Sequence, residues 1–90
     1  VAQYNLIEAV GNSKSETAIP FLQEILSKDL DESNRAGAAH ALEKVGGPKA
    51  IQILEDALKK EQETTAKMAI VYSLKHLTGK NYDESKPNEQ

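Results

Sequence analysis

The sequence predicts an all-α protein: an α–α superhelix of about five helices, built from a repeated pair. Three observations predict it. Apolar residues recur at helical spacing along most of the chain, and no segment alternates as a strand would. Gly, Pro, Asn and Asp clusters cut that pattern into short pieces. A shift of 32 residues lays one half of the chain on the other with its apolar positions matched.

The elements follow in order. Leu6, Ile7 and Val10 mark a first helix, which Gly11–Asn12 is expected to stop. Ala18, Ile19, Leu22, Ile25 and Leu26 give a second helix its i, i+3, i+4, i+7 stripe. The acidic stretch from Asp29 to Ser33 is a turn that also offers N-cap residues. Ala38, Ala41, Leu42 and Val45 mark a third helix, closed by Gly46–Gly47, and Pro48 suits the first turn of the next. Ile51, Leu54, Ala57 and Leu58 form the fourth. Met68, Ile70, Val71, Leu74 and Leu77 form the fifth, ended by Thr78–Gly79. Residues 80–90 are a polar tail, and disorder is expected from Glu84 onward. Tyr82 is expected to fold back over the fifth helix.

The 32-residue shift pairs Leu22 with Leu54, Leu26 with Leu58, Arg35 with Lys67, Leu42 with Leu74 and Val45 with Leu77. Both helices of the unit keep one offset, so the unit is a two-helix repeat, A then B. At an offset of 35, Ile7, Glu8, Val10 and Gly11 match Leu42, Glu43, Val45 and Gly46, which makes the first helix another B. The order is B, A–B, A–B: a half repeat over 1–11, a repeat over 17–47 and a repeat over 49–79. The first helix lacks a preceding A helix and the chain starts at Val1, so a fragment of a longer protein is expected.

The stretch 18–26, an acidic turn, then Asn34-Arg-Ala-Gly-Ala-Ala-His-Ala-Leu-Glu-Lys-Val-Gly46 resembles a HEAT repeat. It is most similar to the short subtype first noted in phycobilin lyases. The resemblance covers roughly residues 4–79 and departs at Asn34, where the family prefers Val, and at Lys67, where it prefers Arg. It implies that Arg35 pairs with the acidic turn of its own or a neighbouring repeat, with Asp29 or Asp31 as the partner expected here.

Composition narrows the function. Net charge is −3, with 28% charged residues, which argues against a phosphate-reading surface, so no nucleic acid is expected. The chain has no cysteine, and its apolar runs are too short to span a bilayer. A soluble chain, cytoplasmic by default and monomeric or weakly dimeric, is expected. His40 and His76 fall on different rows of the repeat and make no ligand set, so no metal or cofactor is expected. Deoxyhypusine hydroxylase, which this chain resembles in repeat type, carries His-Glu pairs; here Ala41 follows His40 and Leu77 follows His76.

The candidate surface is the row of B helices, where equivalent outward positions stack from repeat to repeat. One rung is Asn5, His40 and Tyr72; the next is Glu8, Glu43 and Lys75. Tyr and His carry contact area with a polar tip. The expectation is a non-catalytic protein-interaction scaffold, not an enzyme, binding an unnamed protein through these six residues. The alternative is a cofactor-associated or catalytic accessory domain related to phycobilin lyases.

Overall fold

The computed structural model describes residues 4–82, with side chains described from residue 6. Among these residues are five α-helices and a single 3-10 turn: α1 (Tyr4–Asn12), the turn at Glu16–Ala18, α2 (Ile19–Lys28), α3 (Glu32–Val45), α4 (Gly47–Lys60) and α5 (Thr64–Thr78). No strand occurs among the described residues. The helices α1, α3 and α5 lie side by side, with α3 in the middle, and α2 and α4 form a second layer across them. The shortest extent, 15 Å, fits two helix layers and excludes three.

Repeat-equivalent positions bury alike, which is the physical content of the repeat. Ile7, Leu42 and Leu74 occupy one site on the three B helices, Leu22 and Leu54 one site on the two A helices, and all five are 0% exposed. Each such side chain contributes about 1.5–3 kcal/mol by leaving water. Ala38, Ala39, Ala50 and Ala66 are also fully buried, and their small size lets neighbouring helices approach closely.

Gly11–Asn12 closes the first helix as expected, and Gly11 also serves a close approach between helices. The first helix runs through Gly11 to Asn12. A Cβ on Gly11 would stand 2.6 Å from the Ala41 Cβ and 2.7 Å from its Cα, so glycine is there to let α1 cross α3. Beyond Asn12 the chain turns at Lys14, whose φ of 57° is left-handed and whose N–H reaches the Gly11 carbonyl at 3.0 Å.

The turns joining A to B are also repeated. The Asp31 N–H donates to Asp29 Oδ1 at 2.9 Å, and in the next repeat the Glu63 N–H donates to Glu61 Oε2 at 3.0 Å. Asp31 then caps α3 by accepting from the Ser33 N–H at 2.8 Å. Its equivalent Glu63 makes no such cap.

Arg35 departs from the expected pairing with the Asp29 or Asp31 carboxylate. Its Nε and Nη2 donate to Glu61 Oε1 and Oε2 at 2.9 and 3.0 Å, while Nη1 donates to the Asp29 carbonyl at 2.7 Å. One side chain thus ties the turn of its own repeat to that of the next. Asn34 explains the choice: its amide faces the Asp29 carboxylate at 3.3 and 3.4 Å, and Asp31 is engaged as a cap.

Tyr82 folds back, but not over the fifth helix as expected. It is buried, and its hydroxyl donates to Glu55 Oε2 on α4 at 2.8 Å. It does not cover the outer face of α5, where Met68 and Tyr72 stay 52% and 55% exposed. Residues 83–90, where the tail and its disorder are expected, lie outside the described residues. No described helix is long and apolar enough to cross a membrane.

Candidate functional site

The B layer carries a notch of about 300 Å³ between α1, α3 and α5. Gly37 and Ala41 of α3 line it without bulk; Glu8, His40, Glu43, Lys44, Tyr72 and His76 supply its polar and aromatic lining. Small residues at two successive turns of α3 open the space, and longer residues on the flanking turns enclose it.

Glu43 is the fixed point of the cluster. Ser73, 0% exposed on α5, directs its hydroxyl at Glu43 Oε1 and at the Ala39 carbonyl, each 3.2 Å away. A hydroxyl has one proton, so these two acceptors share it. His76 Nδ1 lies 3.3 Å from Glu43 Oε2, and His40 Nδ1 lies 3.9 Å from Oε1. Tyr72 makes T-shaped contacts with both imidazoles, with ring centroids 4.4 Å from His76 and 6.3 Å from His40. Lys44 is drawn aside, its ammonium donating to Asn12 Oδ1 at 2.8 Å.

The structure brings together four of the six residues expected from the sequence: Glu8, His40, Glu43 and Tyr72. Lys75 is exposed and does not line the notch. Asn5 falls on α1, but its side chain lies outside the described ones. His76 and Lys44 join instead. The offset puts His76 in a different row from His40, yet His76 is one turn beyond Tyr72, and the α3–α5 crossing carries it onto Glu43. The i, i+4 spacing of Tyr72 and His76 was the signal available.

A larger groove of about 820 Å³ lies on the other layer, between α2 and α4, with the Arg35–Glu61 pair among its lining. Its ionic centre is closed on itself. Burial pushes the Glu61 carboxyl up, but the Arg35 hydrogen bonds and the backbone N–H of Glu63 outweigh that and hold it below the usual carboxylate range. The groove therefore reads as a joint between repeats, and the notch as the surface with unused bonding capacity.

The family model for HEAT repeats matches residues 1–75. The chain belongs to the HEAT-repeat family. The HEAT chain is 40% identical over 68 residues to the epoxyqueuosine reductase of Bacillus subtilis (strain 168), a match covering 76% of this chain and 18% of that protein. An uncharacterized protein in the gldA 3' region of Geobacillus stearothermophilus is 35% identical over 75 residues, covering 83% of this chain and 35% of that one. A crystal structure of selenomethionine-labelled epoxyqueuosine reductase superposes with a TM-score of 0.79 at 37% identity, covering 84% of this chain and 20% of that one. The chain spans about a fifth of the length of the reductases it matches.

These relatives overturn the expectation of a non-catalytic protein-interaction scaffold and, with it, the reading as no enzyme. The similar proteins of stated activity are reductases. The physical reason for the error is general: a helical array records in its residues how its helices pack, and holds no trace of the chemistry joined to it. The phycobilin-lyase alternative gains no support from these relatives.

Proposed function

We propose that this chain is the HEAT-repeat segment of an epoxyqueuosine reductase and that it binds and orients through its B-helix face. The observation that carries this reading is the agreement of sequence and shape: 37% identity with a TM-score of 0.79 over 84% of the chain. The side chains of the notch (Glu, His, Tyr, Lys) suit binding, orientation and proton movement. The role assigned to the segment is to bind and orient within the enzyme through these side chains.

A chimera tests this. The segment of the Bacillus subtilis reductase that matches this chain is replaced by this chain, and reduction of epoxyqueuosine is followed by mass spectrometry. The proposal expects turnover within about tenfold of the parent enzyme, a change of roughly 1.4 kcal/mol in barrier. A chimera that folds, holds the parent's other properties and reduces nothing would contradict it.

A further inference from the structure

We propose that the notch between α1, α3 and α5 is a binding site for a guanidinium group. This goes beyond the enzyme reading and stands independently of it.

The charge and bonding capacity of the lining decide the class of ligand. Glu8 and Glu43 set two carboxylates against the single ammonium of Lys44. Lys44 is also turned to Asn12, so it does not neutralise the centre of the notch. The lining therefore disfavours an anion. An apolar ligand would strip water from the carboxylates without replacing its hydrogen bonds. A metal ion finds no group of three His, Cys, Asp or Glu side chains placed to hold it among the described residues. A cation with N–H donors fits.

Glu43 is prepared to receive it. His76 Nδ1 lies 3.3 Å from Glu43 Oε2, and Glu43 Oε1 accepts a hydrogen bond from the hydroxyl of buried Ser73, against roughly four lone-pair sites on the carboxylate. That bond fixes the carboxylate's orientation without exhausting it. The same carboxylate is partly withdrawn from water, its side chain 24% exposed, so a charge-assisted bond there meets less competition than at an open surface.

The rings select a planar cation over a compact one. Tyr72 is half exposed in the same lining as the carboxylate, its ring steeply inclined to those of His40 and His76. A guanidinium stacks on an aromatic face while its in-plane N–H groups reach a carboxylate in pairs; an ammonium cannot do both with one geometry. The cavity of about 300 Å³ stands at the lower end of small-ligand pockets, which suits a small planar cation and its stem better than a large molecule.

The test is a chemical-shift titration of the 90-residue chain with methylguanidinium and, separately, methylammonium at constant ionic strength. Saturable shifts centred on Glu43, Tyr72 and His76 are expected, with methylguanidinium binding at least severalfold more tightly. Glu43→Gln should weaken it roughly tenfold, the value of one charge-assisted pair. Tyr72→Leu, which keeps the bulk and removes the ring, should weaken it severalfold and serves if the first variant folds poorly. Glu24→Gln on α2, outside the notch, should leave it unchanged. N-acetylarginine amide forms a second arm: binding as tight as methylguanidinium would assign an arginine side chain as the source, and much weaker binding a free cation. Methylammonium binding equally well, native-like affinity in both notch variants, or no saturable shift at the notch would overturn the proposal.

Discussion

Removing Arg35 is the perturbation that most sharply probes how the repeats are joined. Arg35 and Glu61 side chains are 14% and 7% exposed, and two N–H···O bonds of 2.9 and 3.0 Å join them. Deleting one partner of a fully buried ion pair costs about 3–5 kcal/mol. Here Glu61 keeps the backbone N–H groups of Gln62 and Glu63 at 3.2 and 3.0 Å, so Arg35→Met should cost less, about 2–3 kcal/mol. That is a large share of the stability of a chain this size, about 5–13 kcal/mol. Urea unfolding followed by helical circular dichroism should show the midpoint falling by about 1–2 M. The double-mutant cycle with Glu61→Gln should return a coupling of about 1.5–3 kcal/mol. A coupling below about 0.5 kcal/mol would refute the argument and reduce the pair to a solvated contact. The pH dependence has a definite sign. The folded Glu61 carboxyl is depressed, so its contribution is fully present above the unfolded value of about 4.3 and is lost as pH falls through the folded one. Replacing Glu61 by Gln should flatten that acid limb.

Three further outcomes are expected. Gly11→Ala drives a Cβ to 2.6 Å from the Ala41 Cβ and should destabilise by about 1–3 kcal/mol, read by thermal unfolding; a neutral result would mean that α1 shifts off α3 freely. Tyr82→Phe removes the bond to Glu55 and should cost about 1 kcal/mol. Burial first, then that bond, raises the Tyr82 phenol, so its contribution is complete below about pH 10 and is lost as pH rises through the folded value; denaturation curves at pH 9 and 11 should separate wild type from Tyr82→Phe. Asp31→Ala removes the α3 cap and should cost about 1 kcal/mol, whereas Glu63→Ala at the equivalent uncapped position should cost distinctly less in the same assay.

The fold was legible because burial repeats. Ile7, Leu42 and Leu74, or Leu22 and Leu54, each occupy one structural site, and an offset in sequence reveals that without any knowledge of angles. What was not legible depends on how the layers cross. The choice of Arg35 between its own turn and the next rests on the side-chain reach of Glu61, one methylene longer than its equivalent Asp29, and on Asn34 holding Asp29. Gly11 reads as a stop in one dimension and as a crossing point in three. The candidate site fell between these cases. Offsets found the rung of His40 and Tyr72 and the neighbouring Glu8 and Glu43, but His76 reaches Glu43 only through the α3–α5 approach. Ser73 bonds to the Ala39 carbonyl across that approach, a contact with no signature in a repeat alignment.

The reading as a working segment of an epoxyqueuosine reductase is tested most directly by kcat/KM for epoxyqueuosine reduction in the chimera. The comparison is between this chain and its triple variant His40→Ala, Tyr72→Ala, His76→Ala, with matched helical circular dichroism. If the B-helix face binds and orients for the enzyme, the triple variant loses at least about tenfold, roughly 1.4 kcal/mol or more of transition-state stabilisation. Equal kcat/KM in the two folded chimeras would contradict the role given to that face.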